Sequence, residues 1–152
     1  MSDARDDHTT RIDFPVPASE KAAPFSILVA DDDEIGRAIV VNVLKGMGYR
    51  PEVAENGHEA VHSWERGDFD LILMDIHMPL IDGIEATWII RSQESDRGDY
   101  TPIIAYSADY VTEHFDKLFS LGFDGFVRKP VALELLLREI ERCIQLKQTR
   151  PV

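Results

Sequence analysis

Residues 70–75 read Asp-Leu-Ile-Leu-Met-Asp, and this short run decides the fold. Its four apolar residues stand together without polar alternation. That pattern suits a strand buried on both faces, as in a parallel sheet. Carried outward, the same reading finds SILVA (26–30) and RPEVA (50–54) upstream, then PIIAYS (102–107) and DGFV (124–127) downstream. All are of strand length, and most are rich in Val, Ile or Leu.

Longer amphipathic stretches separate them. Residues 34–47 carry Ile35, Ala38, Ile39, Val43 and Leu44 at helical spacing, and Gly46 and Gly48 stop the helix. Asn56 followed by Glu59 looks like a cap opening a helix through Trp64. Asp82 can cap a third helix that carries Ile84, Trp88 and Ile89 and runs to about Gln93. Residues 110–120 supply Val111, Phe115, Leu118 and Phe119, with Gly122 after the end. The last helix spans about 131–147, with Leu133, Leu136, Leu137, Ile140 and Ile144 on one stripe. Strand and helix alternate five times, which predicts an α/β protein with a doubly wound, five-stranded parallel sheet and helices on both faces.

The periodicity begins at Ser26. Residues 1–25 mix charge with Ser, Thr and three prolines (Pro15, Pro17, Pro24), and read as a disordered or loosely docked tail. Phe14 and Val16 could instead anchor a partner there. The expected organisation is a tail at 1–25, one domain at 26–147 and a short tail at 148–152, with no output domain attached. No apolar run approaches the roughly 20 residues of a bilayer span, and the N-terminus has no secretory h-region. The single cysteine, Cys143, sits in the last helix and reads as a core residue. A cytoplasmic location is the default.

The chain has 152 residues, with 28 Asp and Glu against 16 Lys and Arg, for a formal charge of −12. The acid excess argues against direct binding to nucleic acid, whose phosphates demand clustered cations, and against anionic membranes. What matters is where some of those acids stand. In open α/β sheets, ligands bind beyond the carboxyl ends of the strands. Asp31-Asp32-Asp33-Glu34 follows the first strand, Asp75 ends the third, Ser107 ends the fourth, and Lys129 follows the fifth. Gathered carboxylates repel: two unit charges about 4 Å apart cost roughly 4 kcal/mol at an effective dielectric near 20. A hard cation relieves that, and oxygen-only donors favour Mg²⁺ or Mn²⁺ over zinc. The competing reading of the acid run is a solvated loop that caps the first helix. His8, His58, His62 and His114 read as solvated. Carboxylates beside a divalent cation, a lysine and a hydroxyl suit phosphoryl transfer to an aspartate.

These residues resemble the receiver domain of two-component response regulators, over about residues 26–146. ILVADDDE is similar to the family's first-strand motif, and LILMDIHMPLIDGIEA to the motif around its phosphorylated aspartate. PIIAYSA and FDGFVRKP are similar to the segments carrying its switch hydroxyl and its lysine. The wording around Asp75 looks most like receivers of hybrid kinases and phosphorelays. The resemblance implies a flavodoxin-like strand order 2-1-3-4-5. It implies Asp75 as phosphoacceptor, with Mg²⁺ (or Mn²⁺) held by Asp31, Asp32, Asp75 and the backbone carbonyl of His77. Ser107 would be the switch hydroxyl, Lys129 the conserved-type lysine, and Phe126 the switch aromatic, without the hydroxyl of a Tyr. His77 and Asp109 would tune hydrolysis. The implied donor is a histidine kinase or a histidine phosphotransfer protein, and the implied output surface is the fourth helix, fifth strand and fifth helix. Such a protein is a signalling phosphoacceptor rather than an enzyme. The resemblance also implies a cis Lys129–Pro130 bond. Two other readings stay open: a haloacid dehalogenase-like phosphohydrolase with Asp31 as nucleophile and Asp33 as acid/base, and a pseudo-receiver that binds without phosphoryl transfer.

Overall fold

The computed structural model describes residues 24–108 and 115–149. Five strands, β1 (Ser26–Ala30), β2 (Arg50–Ala54), β3 (Leu71–Asp75), β4 (Ile103–Ser107) and β5 (Gly125–Arg128), alternate with five helices. The helices are α1 (Glu34–Gly46), α2 (Gly57–Arg66), α3 (Gly83–Arg97), α4 (Phe115–Ser120) and α5 (Leu133–Thr149). The sheet is parallel throughout, in the order β2-β1-β3-β4-β5. This is the doubly wound architecture the alternation predicts.

Strand side chains alternate between faces, and the alternation divides the core in two. Ile27, Val29, Leu71, Leu73, Ile104 and Tyr106 pack with α1 and α5 residues such as Val40, Leu44, Leu136 and Ile140. Leu28, Ile72, Met74, Ile103 and Ala105 pack with Trp64, Ala86, Ile90 and Leu118 on the other face. β3 and β4 are buried at every position, as central strands covered on both sides should be. β2 is different: it lies at the edge, only Ala54 is fully buried, and Pro51 occurs where a missing N–H is tolerated.

Several boundaries and faces differ from expectation. Phe25, assigned to the tail, is buried beside Tyr49, and its carbonyl accepts from Arg50 N. Of the residues whose spacing predicts α1, Ile35 and Ile39 are exposed; the helix buries Val40 and Leu44. The apolar residues of α1 cover more than one face, so spacing alone did not select the inner one. α3 continues to Arg97, past Gln93, until Gly98 in the left-handed region ends it. Its last inward residue is Glu94, a charge that breaks the apolar period yet is buried with Arg91 as its partner at 2.7 Å. α2 runs two residues beyond Trp64 and α5 reaches Thr149. Residues 110–114 of the expected fourth helix lie outside the described residues. Asn56 and Asp82 cap α2 and α3 as expected, accepting from Glu59 N and Glu85 N. Cys143 is fully buried, and the Lys129–Pro130 bond is cis. Among the described residues, no helix is long and apolar enough to cross a membrane.

Candidate functional site

The carboxyl ends of β1, β3 and β5 bring Asp31, Asp32, Asp75 and Lys129 together. Parity explains which side chains meet. Asp31 continues the Ile27–Val29 alternation, Asp75 the Leu71–Leu73 alternation, and Lys129 the Val127 alternation. All three therefore emerge on the α1/α5 face of the sheet. Ser107 and Phe126 have the opposite parity; Ser107 is buried, and Phe126 packs against the second core.

The acid run after β1 divides its labour. Asp33 is the N-cap of α1, with its carboxylate accepting from Gly36 N at 3.1 Å. The helix-capping reading is thus true of Asp33, while Asp31 and Asp32 remain with the site. Asp31 is fully buried. Its Oδ1 accepts from Asp33 N at 3.0 Å and from Lys129 Nζ at 3.2 Å. Its Oδ2 is buried with no hydrogen-bond partner. Asp32 is exposed. Asp75 is nearly buried; His77 N donates to Oδ1 at 3.2 Å and Lys129 Nζ to Oδ2 at 3.1 Å.

Two glycines build this corner. A Cβ on Gly83 would sit 2.1 Å from the Asp75 carbonyl oxygen, so α3 can start against β3 only without a side chain there. A Cβ on Gly57 would sit 2.0 Å from the Ile81 carbonyl oxygen, so the loop 76–82 can lie on the first turn of α2.

The electrostatics follow from the crowding. Burial pushes the Asp75 carboxyl up to about 6, assisted by Asp31 and opposed by Lys129. Burial disfavours the Lys129 ammonium, but Asp75 and Asp31 outweigh it and hold the lysine above its ordinary value. One lysine bridges two carboxylates and leaves one carboxylate oxygen orphaned. Ligand atoms of Asp31, Asp32 and Asp75 lie within 4.8 Å of one another. This is the donor set of a hard divalent cation, and the orphaned Asp31 oxygen is the atom a cation would satisfy. The residues fit Mg²⁺ or Mn²⁺.

His77 is exposed beside the site, and Asp109 lies outside the described residues. A pattern passed over in the sequence is His58-Glu59-Ala60-Val61-His62, an H-E-x-x-H on α2. Both histidines are exposed, and Glu59 accepts from Glu55 N at 2.8 Å. Among the described residues, the set of three metal-capable side chains is the aspartate trio and not this pair. Among the described residues, no third donor joins the two histidines as a zinc site requires.

Residues 27–141 match the family model of the response regulator receiver domain, and the chain belongs to that family. It is 35% identical over 121 residues to hybrid signal transduction histidine kinase M of Dictyostelium discoideum, covering 78% of this chain and 5% of the relative. It is 33% identical over 123 residues to the sensor protein GacS of Pseudomonas syringae pv. syringae, covering 80% of this chain and 13% of the relative. The chain thus spans a small part of these relatives. Among solved structures it resembles the receiver domain of a sensor histidine kinase from Pseudomonas aeruginosa that has a magnesium ion coordinated in its active-site cleft. That match has a TM-score of 0.72 and 33% identity, and covers 81% of this chain and 99% of the other. It also resembles the Saccharomyces cerevisiae complex of the phosphotransfer protein Ypd1 with the receiver domain of Ssk1, with a TM-score of 0.75 and 29% identity over 82% of this chain and 91% of the other. Fold, family and acid cluster define a receiver domain whose aspartates are consistent with a phosphoaccepting, regulatory role. The dehalogenase-like alternative has no support: Asp33, its required acid/base, is committed to the α1 cap.

Proposed function

We propose that Asp75 is the phosphoacceptor and that a phosphohistidine is the donor. The observation that carries the reading is the Lys129 ammonium held between Asp31 and Asp75 at 3.2 and 3.1 Å, beside the orphaned Asp31 oxygen. Asp75 is predominantly ionised above about pH 6, so near neutrality its oxygen is a nucleophile. It forms a bond to phosphorus as the donor's P–N bond breaks, and the departing imidazole takes its proton from solvent. Lys129 supplies a positive charge for the phosphoryl oxygens, and Ser107 a hydroxyl that can donate to one of them. Asp31, Asp32, Asp75 and the His77 backbone carbonyl are the groups that would hold Mg²⁺ or Mn²⁺. When bound, the cation offsets negative charge on the transferring group.

The product adds a charge of about −1.5 to −2 at the carboxyl edge of the sheet. Ser107 and Phe126 share the face away from Lys129, so a move by Ser107 can be passed to Phe126 and on to the α4-β5-α5 surface, where an output protein would bind. His77 and Asp109 are proposed to influence the lifetime of the phosphorylated state. Histidine kinases or histidine phosphotransfer proteins are the proposed partners, supported by the kinase relatives and the Ypd1 complex. A cytoplasmic location and a single domain running from Phe25 to Thr149 belong to the same reading.

The test is incubation with Mg²⁺ and acetyl phosphate, with beryllofluoride binding measured in parallel. Wild type should gain one phosphoryl group and Asp75→Asn none. Labelling at Asp31 would favour a hydrolase. No labelling and no beryllofluoride effect would favour a pseudo-receiver.

A further inference from the structure

We propose that Tyr106 is a positioning residue for Lys129, its ring face holding the ammonium at the site. This inference rests on Asp75 being the phosphoacceptor. Tyr106 is the fourth residue of β4, in register with Asp75 on β3 and Val127 on β5. Its side chain therefore emerges on the same face as Asp31, Asp75 and Lys129. The Lys129 Nζ lies over the ring, 4.6 Å from its centroid. At that distance the negative face of the ring attracts a cation, most strongly where water is scarce. Tyr106 is 2% exposed, so the ring itself is fixed by packing.

The alternative is that Tyr106 is merely a large core residue, and two features argue against leaving it there. First, the three residues before it in the strand are aliphatic, Ile103, Ile104 and Ala105, so an aromatic residue is placed just where the lysine arrives. Second, Tyr106 and Lys129 together line a cavity of about 410 Å³ between α1 and the segment that follows β5, with Val40, Pro130 and Val131 among its walls. Lys129 is therefore not clamped by protein on that side. Without the ring, its flexible four-carbon stem could swing into the cavity. Asp31 and Asp75 hold the ammonium while both carboxylates are free to accept. Once they turn to other partners, the ring still faces the ammonium. The ring thus confines the charge to the place where phosphoryl oxygens arrive, which lowers the entropic cost of using it.

The experiment compares wild type, Tyr106→Phe and Tyr106→Leu, each with Lys129 and in a Lys129→Ala background. Two readouts are taken: the rate of Asp75 labelling by acetyl phosphate, and the NMR shift of the Lys129 ε-methylene protons. Tyr106→Phe should keep the upfield ring-current shift and lose less of the rate than Tyr106→Leu. Tyr106→Leu should lose the shift and slow labelling roughly fivefold, the size of a partly desolvated cation–π contact. In Lys129→Ala, the leucine substitution should cost nothing further, because the partner it acts through is gone. Should Tyr106→Leu not fold, Tyr106→Met takes its place as the ringless variant. An unchanged rate in the ringless variant overturns the proposal. So does an equal loss in Tyr106→Phe, or an equal slowing in the Lys129→Ala background. If wild type itself takes no label, the phosphoacceptor reading fails. The ring–lysine contact is then judged by the NMR signal, and ordinary ε-proton shifts in wild type would overturn it.

Discussion

Replacing Asp75 by Asn should make the metal-free protein more stable, and the gain should depend on pH. The side chain is 6% exposed and is held near Asp31. In the folded protein its carboxyl sits at about 6, against 3.8 when unperturbed. Between those values the folded chain binds a proton that the unfolded chain has released. Asp75 therefore stabilises no less than an ordinary acid below about pH 4, and its contribution is lost as pH rises through about 6. At 1.36 kcal/mol per tenfold change in proton affinity, the interval from 3.8 to about 6 amounts to about 3 kcal/mol. Asn carries no charge to desolvate and keeps an oxygen for Lys129, so most of that cost should return. Urea unfolding in EDTA, followed by tryptophan fluorescence, measures the difference directly; Trp64 is buried and reports the transition. At pH 7.5 the Asn variant should be more stable by about 2–3 kcal/mol, which corresponds to roughly 5–10 °C in Tm for a domain of this size. Near pH 4 the two proteins should coincide. A variant less stable than wild type at neutral pH, or a difference that ignores pH, would refute the reasoning.

Mg²⁺ should raise the stability of wild type by about 2.7 kcal/mol at a hundred times its dissociation constant, and Asp31→Asn should abolish most of that gain in the same urea assay. Gly83→Ala should destabilise the fold and slow Asp75 labelling, because its Cβ must displace the Asp75 carbonyl from 2.1 Å; Gly46→Ala, with nothing within 4 Å, should be neutral or mildly stabilising. Arg91→Ala should cost about 3–5 kcal/mol in thermal or urea unfolding, since Glu94 is buried and loses its cationic partner; adding Glu94→Gln should recover part of it.

Much of this molecule was legible in its residues. Continuous apolar runs such as Leu71–Met74 identify central strands because both of their faces are covered. Asn56 and Asp82 announce α2 and α3 because a capping oxygen must satisfy an otherwise free backbone N–H. The site residues could be named because an α/β sheet collects whatever ends its strands. The failures are equally physical. Ile35 and Ile39 belong to the apolar spacing of α1 yet face outward, because hydrophobicity alone does not say which face turns inward. The last turn of α3 was missed because its buried residue is Glu94, made tolerable by Arg91 from one turn earlier. Phe25 lay beyond the apparent start because Pro24 beside it signals a loop. The role now inferred for Tyr106 was hidden because its strand period marks it as core, while its neighbour Lys129 is 23 positions away in sequence.

The central claim is that the phosphoryl group rests on Asp75. Wild type treated with Mg²⁺ and acetyl phosphate can be reduced with borohydride, which converts an acyl phosphate to an alcohol, and then mapped by peptide mass spectrometry. The account predicts homoserine at position 75 and unmodified aspartate at positions 31, 32 and 33. Homoserine at any of those three, or none anywhere in a folded, Mg²⁺-binding protein, would contradict it.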